Sequence, residues 1–220
     1  MADTLAGCVL PPSFPLNMSR TTWPSGLVFH RVHYALYGAT EFHPGVTGNA
    51  RFSPIRNKAG EPIPTLYGGA SFECAAMETV FHDVPFTAGF KAIDKARLNG
   101  QLHSQARPEA DLVLADLGSK ALRKLGIQRK QLIDTEKDQY PVTRLWAEAI
   151  HGACSDVQGL CWTSRQDDSA RAMVLFGDRL APGLLRQAGA SRSLTSDAVC
   201  YSELLDLAAH IGVNIVPGRS

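Results

Sequence analysis

The sequence predicts a single domain of the α+β class, and three observations support this. The chain has 220 residues, of which 45% are hydrophobic, enough to bury one substantial core. Segments with strand-like alternation and segments with helical spacing are intermixed, without an internal repeat or a linker. The turn YGGAS lacks the spaced glycines of a Rossmann turn, and there is no Walker-type phosphate loop, so a doubly wound sheet is not predicted.

Residues 1–26 are expected to form a proline-rich arm. Pro11, Pro12, Pro15 and Pro24 remove backbone donors and discourage regular structure. The segment has no basic start followed by a continuous apolar core, and no later stretch is long enough to span a bilayer. We therefore expect one domain over residues 27–220, without a secretion signal or a membrane segment.

The first predicted strand covers residues 27–37, where aromatic and β-branched residues nearly alternate and place Arg31 on one face. Residues 38–64 are rich in Gly, Pro and Asn, which predicts loops, interrupted by the short segment ARFSP that carries Arg51. Ligand contacts often lie on such loops.

A helix is predicted over residues 70–83, with Ser71 as its N-cap and Glu78 one or two turns inside it. A turn at residues 68–69, both glycine, would direct Tyr67 and Glu78 toward one cleft. In the rest of the chain, strands are predicted over residues 91–93, 111–117 and 170–180, a strand or turn over 159–166, and helices over 117–126, 140–154 and 202–211.

Charge and cysteine content exclude several classes of protein. Lys and Arg number 22 and Asp and Glu 21, without a basic run, so nucleic-acid binding through the phosphate backbone is not indicated and any anion site must be local. The five cysteines are odd in number and widely spaced, which favours reduced thiols in the cytoplasm. They are Cys8, Cys74, Cys154, Cys161 and Cys200.

Two other kinds of site are weakly supported. The seven histidines include no HExxH or comparable ligand spacing, so no metal is expected. Cys161 and the scattered histidines could suggest a Cys–His hydrolase, but no residue is placed to orient a base.

Five residues stand out in four local segments, although each alone would most often be a surface or core residue. In this order, the segments resemble the RES domain family, from about Leu27 to about Phe176. They are LVFHRVHYALYG with Arg31, GNARFSPIRN with Arg51, TLYGGASFECAAMETVFHDV with Tyr67 and Glu78, and GLCWTSRQDDSARAMVLFG with Ser164.

The resemblance implies a fold similar to the ADP-ribosyltransferase toxins, with a central β-sheet split around an NAD cleft and helices outside. It implies a toxin that consumes NAD as a substrate, with no resident cofactor and no metal. Its partner would be an Xre-type antitoxin that blocks the cleft and carries the DNA contact, so no direct nucleic acid contact is expected. A homodimer and a role for phosphate are left open.

Site roles follow from the resemblance and from chemistry. Arg31 and Arg51 would bind the nucleotide, since a guanidinium is a planar fork suited to pyrophosphate. Glu78 would stabilise the cation-like ribosyl centre formed when the nicotinamide bond breaks. Tyr67 would stack on nicotinamide, and Ser164 would bond the amide or the ribose. Glu78, Arg31 and Tyr67 are the catalytic candidates.

The expected function is cleavage of the nicotinamide N-glycosidic bond of NAD by hydrolysis or phosphorolysis, which depletes NAD and arrests growth. One alternative is a protein ADP-ribosyltransferase, since the same bond breaks and only the acceptor differs. A second alternative is an inactive homologue that binds an antitoxin or a nucleotide.

Overall fold

The computed structural model describes residues 9–11 and 16–218, and this part of the chain has the predicted α+β class. Within these ranges, no helix has the length and apolar character needed to cross a membrane. The strands are β1 (Arg20–Trp23), β2 (Phe29–Tyr34), β3 (Thr65–Gly69), β4 (Lys91–Asp94), β5 (Gln101–Pro108), β6 (Leu112–Asp116), β7 (Gly159–Thr163), β8 (Arg171–Phe176), β9 (Leu185–Gln187), β10 (Arg192–Ser193) and β11 (Val213–Val216), and the α-helices are α1 (Phe72–Met77), α2 (Ser119–Lys124), α3 (Tyr140–Ala153) and α4 (Ala198–His210).

Most strands belong to one large mixed sheet. Its order is β1-β6-β7-β8-β3-β2-β5-β10, and β9 also pairs with β5. Strands β6 and β7 run parallel, and the other paired neighbours in this sheet are antiparallel. Strands β4 and β11 form a separate parallel pair.

The large sheet opens between β2 and β3. These strands share one registered pair, His30 with Gly69, whereas β2 shares six pairs with β5 and β3 shares five with β8. Since backbone hydrogen bonds hold neighbouring strands together, the two halves of the sheet separate where the ladder is shortest. The split sheet implied by the family resemblance is therefore present.

Two glycines at the end of β3 allow close packing beside this opening. A Cβ on Gly68 would lie 2.8 Å from the Phe29 ring, and one on Gly69 would lie 2.8 Å from Cys74 Sγ. The predicted turn at these glycines is wrong, because both belong to β3 and the chain bends only after them. Ser71 caps α1 as predicted, since its side chain accepts from the Cys74 N–H at 3.0 Å.

Helix α1 is shorter than predicted and places Glu78 at its C-terminal end. The N–H groups of Thr79, Val80 and Phe81 all bond to the Ala76 carbonyl, so the regular i→i−4 series stops there and the helix ends at Met77. Glu78 is therefore the C-cap residue rather than an interior one. Helix α4 begins earlier than predicted, at Ala198, because the side chain of Asp197 caps it.

Several strands were not predicted, among them β1 and β5 of the large sheet and the short β9, β10 and β11. Strand β1 lies near the end of the segment that was predicted to be an arm without regular structure, so that prediction is wrong for Arg20–Trp23. The prolines flank this strand and do not interrupt it. Residues 1–8 and 12–15 lie outside the described residues, and the division at residue 26 stays a prediction. Strand β5 lacks the alternation of apolar and polar residues that predicts a strand, because its buried positions include polar Gln101, His103 and Ser104.

Both faces of the large sheet are buried. Helix α3 covers one face, where Trp146 and Ile150 pack in one cluster with Trp162 of β7 and Val174 of β8. The opposite face of β8 contributes Met173 to a second cluster with β1 and β6. Helices α1 and α4 pack together in a third cluster beside β2. The four described cysteines are buried free thiols.

Candidate functional site

A cleft of about 430 Å³ lies at the opening between β2 and β3. Its wall includes Arg31, Arg51, Tyr67 and Glu78, so four of the five predicted site residues meet there although they come from four separate parts of the fold. Ser164 does not line the cleft, but it contacts Glu78 from behind.

Ser164 holds the Glu78 carboxylate in place. Its fully buried hydroxyl donates to Glu78 Oε1 at 2.6 Å. The same oxygen accepts from the N–H groups of Gln166 at 3.0 Å and Asp167 at 2.9 Å, which orients the hydroxyl proton toward Glu78. This geometry favours a positioning role for Ser164. Its direct contact with a ligand amide or ribose stays a prediction.

Arg31 fixes a loop beside the cleft. Its Nη1 donates to the carbonyl oxygens of Gly38 at 3.2 Å, Ala39 at 3.1 Å and Glu41 at 2.8 Å. Burial lowers the pKa of Arg31 to about 10, although the charge of Glu41 acts to raise it. The side chain therefore stays protonated at neutral pH and carries its positive charge in the cleft wall.

Arg51 is held by the N-terminal part of α3. Its guanidinium carbon lies 5.6 Å from the centroid of the Tyr140 ring, in a cation–π arrangement. Its backbone carbonyl accepts from the hydroxyl of Thr143. Arg51 is only 4% exposed, so this cation is largely removed from bulk water.

Four buried N–H groups in the cleft wall have no hydrogen-bond partner among the described residues. They are Arg31 Nε, Arg51 Nε, Arg51 Nη2 and Trp162 Nε1, four of the six such side-chain atoms in the described chain. Buried polar groups are normally paired, and leaving one unpaired costs about 1–3 kcal/mol. All four are donors and three belong to cations, so the wall suits a ligand that brings acceptor oxygens and negative charge.

Tyr67 is a rigid aromatic part of the wall. Its hydroxyl oxygen accepts from the Phe52 N–H at 3.1 Å, and its ring meets Trp162 edge-on with centroids 6.5 Å apart. Burial raises the pKa of Tyr67 to about 12, so the hydroxyl stays protonated at neutral pH.

A linked group of polar residues at the cleft was not predicted. Asp83 bonds His82 Nδ1 at 2.8 Å and Lys137 Nζ at 2.7 Å, and His82 Nε2 lies 3.1 Å from the Tyr140 hydroxyl. Burial acts to raise the pKa of Asp83, but the bonds from Lys137 and His82 outweigh it and lower the pKa. All four line the cleft. The only local signal was the place of Tyr140 directly before Pro141, in the first turn of α3.

Together these residues define a class of site. Two guanidinium groups can grip an anionic ligand, aromatic rings form part of the wall, and a carboxylate fixed by a hydroxyl can stabilise positive charge on that ligand. A cleft of this size is in the range of small-molecule and cofactor sites.

The chain belongs to the RES domain family, whose model matches residues 27–197. This confirms the predicted membership and extends it beyond Phe176. The fold is similar to that of a chain in the crystal structure of the M. tuberculosis MbcT–MbcA toxin–antitoxin complex. The TM-score is 0.60 and the identity 16%, covering 83% of this chain and 90% of that one. Identity this low shows likeness of fold alone. No curated protein gives a sequence match to this chain.

Proposed function

We propose that this protein is a toxin-like enzyme that breaks the bond between nicotinamide and ribose in NAD. The observation that carries the proposal is the set of unpaired buried donors on Arg31 and Arg51, in the same cleft as the Glu78 carboxylate that Ser164 holds. NAD offers a pyrophosphate to the first group and a cationic nicotinamide riboside to the second.

Binding would use the two arginines in different ways. Nη1 of Arg31 donates to the loop carbonyls, and its Nε has no partner among the described residues. In Arg51, both Nε and Nη2 lack such a partner. Charge-assisted bonds from guanidinium to phosphate oxygens are about twice as strong as neutral ones. Each arginine would thus complete its hydrogen bonding with the pyrophosphate.

Bond cleavage would depend on Glu78. As the glycosidic bond breaks, its electron pair leaves with neutral nicotinamide and the ribosyl carbon becomes cation-like. The Glu78 carboxylate would stabilise this charge electrostatically. Attack by water then gives ADP-ribose and a proton, and attack by phosphate gives ADP-ribose phosphate. No metal or resident cofactor is needed for either route.

The proposed partner is an Xre-type antitoxin that covers the cleft. Support comes from the family and from the similar fold, which was determined in a toxin–antitoxin complex. With a formal net charge of +1, this chain offers little attraction for DNA, so DNA contact would belong to the antitoxin. NAD depletion by the free protein would then arrest growth.

A time course of nicotinamide release and NAD loss tests the proposal. The protein is purified without antitoxin and assayed with and without inorganic phosphate. Release of nicotinamide establishes the bond cleaved, and a phosphate requirement selects phosphorolysis over hydrolysis. If nicotinamide appears only when lysate proteins are added and labelled ADP-ribose attaches to them, the enzyme is a protein ADP-ribosyltransferase. No cleavage under any condition contradicts the proposal and favours a binding-only homologue.

A further inference from the structure

The three tryptophans of the chain differ in what their indole N–H groups contact. Trp23 Nε1 donates to the Leu27 carbonyl at 2.9 Å, and Trp146 Nε1 donates to the Val9 carbonyl at 2.5 Å. Trp162 Nε1 is buried and has no partner in the described part of the chain. Trp162 is 2% exposed and lines the cleft. A buried indole N–H usually has a partner, so this one is suited to a ligand.

The position of Trp162 in β7 places its side chain in the part of the cleft wall near Glu78. Side chains two residues apart on a strand point to the same face. Trp162 lies in β7 and Ser164 directly follows it, with the Ser164 N–H still bonded to the neighbouring Ala170 carbonyl. Since Ser164 donates to Glu78, the indole and the carboxylate belong to the same part of the site.

The Trp162 ring is fixed before any ligand binds. Phe52 meets it edge-on with centroids 5.2 Å apart, and Tyr67 meets it edge-on at 6.5 Å. These contacts restrict the ring, so a ligand group that accepts from the N–H gains a bond at little cost in side-chain ordering.

We propose that Trp162 is a specificity-determining residue whose indole N–H donates to the carboxamide oxygen of nicotinamide. This inference rests on the proposed function, which places the nicotinamide riboside beside Glu78. Indole is a donor only and carries no charge, so it fits a neutral carbonyl acceptor. An anionic substituent on the pyridine ring would gain less, because it would lie near the Glu78 carboxylate.

The test is Trp162→Phe assayed on three dinucleotides. These are NAD, the 3-acetylpyridine analogue, which keeps a carbonyl without the amide nitrogen, and the analogue with an unsubstituted pyridine. Loss of the donor should lower kcat/KM roughly 5- to 50-fold for the two substrates that carry a carbonyl. The unsubstituted analogue should be cleaved equally well by both proteins, whatever its absolute rate.

Trp23→Phe is the matched control, because it makes the same chemical change at a paired indole outside the cleft. It should leave the ratio among the three substrates unchanged while lowering the melting temperature, since the Leu27 carbonyl loses its donor. Trp162→Phe should not lower the melting temperature through any lost hydrogen bond, because its indole has no partner among the described residues.

The outcomes separate the two proposals. If wild type releases nicotinamide and Trp162→Phe loses activity equally on all three substrates, the carboxamide contact is overturned while NAD cleavage stands. Unchanged kcat/KM on NAD in the variant overturns it as well. If wild type releases no nicotinamide from NAD, the proposed function fails and this inference fails with it.

Discussion

Two polar regions lie on either side of β2 and complete their hydrogen bonding differently. We call one the histidine cluster: His30, His103, Arg192 and Glu203. His30 Nδ1 lies 2.9 Å from His103 Nε2, His103 Nδ1 lies 3.1 Å from Arg192 Nη2, and Arg192 donates to Glu203 at 2.8 Å. Arginine can only donate, so His103 Nδ1 accepts and Nε2 carries the ring proton toward His30. Each contact in this cluster is made within the protein.

The cleft has similar residue types, but several of its donors have no acceptor within the described residues. Arg31 and His30 are neighbours in β2, yet Arg31 faces a cleft in which its Nε, two donors of Arg51 and the Trp162 indole have no partner within the described residues. The comparison shows that a cation in a polar cluster does not by itself indicate function. What distinguishes the two regions is whether the protein supplies the acceptors. The histidine cluster supplies its own acceptors, whereas these donors of the cleft residues have none among the described residues.

The largest expected effect is on catalysis at the cleft, from the substitution Glu78→Gln. Glutamine keeps an oxygen that can accept from Ser164, so the geometry survives while the charge is lost. We expect kcat for nicotinamide release to fall roughly 10²- to 10³-fold. Glu73→Gln is the control, since Glu73 is exposed on the same helix and does not line the cleft. Retention of most activity by Glu78→Gln would contradict the role of the carboxylate.

Paired substitutions of arginine test the comparison directly. Arg51→Met removes a cation with two unpaired donors, so we expect KM for NAD to rise roughly 10- to 100-fold. The free energy of unfolding should stay within about 1 kcal/mol, the worth of the lost contact with Tyr140. Arg192→Met should instead leave KM for NAD unchanged and lower the stability, because it leaves Glu203 and His103 without their donor.

For Arg192→Met we expect a loss of about 1 kcal/mol of stability, since the pair is partly open to solvent, and no change in kcat/KM. Urea denaturation and steady-state kinetics on both variants give the comparison. If Arg51→Met leaves KM for NAD unchanged, or Arg192→Met raises it, the two regions do not differ in kind.

Ser164→Ala sharpens the account of how Glu78 is held. The alanine cannot donate to the carboxylate, so Glu78 is less well positioned, and kcat should fall roughly 5- to 50-fold with little change in KM. The variant also leaves the N–H groups of Gln166 and Asp167 without their acceptor, which should lower the melting temperature. An increase in KM with unchanged kcat would instead support direct contact between Ser164 and the ligand.

The smallest expected effect concerns the pH dependence of the histidine cluster. Burial, followed by the charges of His30 and Arg192, lowers the pKa of His103 from its ordinary value of 6.5 to about 3. As pH falls below 6.5 the unfolded chain takes up a proton before the folded one does, so this contribution to stability is present above pH 6.5 and is lost toward pH 3.

The variant His103→Gln isolates that contribution, because glutamine can accept from Arg192 and donate to His30 but does not titrate. Melting temperatures measured across the acidic range should fall less steeply for the variant than for wild type. Parallel curves would show that His103 does not link folding to pH.

The sequence predicted the residues of the site better than their surroundings. Arg31, Arg51, Tyr67 and Glu78 were found because each lies in a recognisable segment, and they do line one cleft. Trp162 lies two residues before Ser164, but no feature of the sequence was a reason to select it. Its indole N–H is seen to lack an acceptor only in the three-dimensional arrangement. Helix α1 ends earlier than its helix-forming residues suggest, because three successive N–H groups bond to one carbonyl and interrupt the helical series.

The four α-helices and strands β2, β4, β6, β7 and β8 were predicted from the sequence, and the misses at β1 and β5 have physical causes. Strand β5 is central to the sheet, yet its buried His103 and Ser104 break the apolar alternation because both are paired in side-chain networks. Strand β1 is four residues long and lies in a proline-rich segment. The prolines therefore predicted an irregular arm, although Thr21 and Thr22 are β-branched and favour a strand. The opening of the sheet depends on long-range pairing that no local pattern records.

The most direct test of the central claim is a calorimetric titration of NAD into Glu78→Gln, which should bind NAD without consuming it. We predict saturable binding that weakens at least about tenfold when Arg51→Met is added, because the donors without partners are there to hold the ligand. Absence of binding at roughly millimolar NAD, or equal affinity in the two variants, would contradict the account.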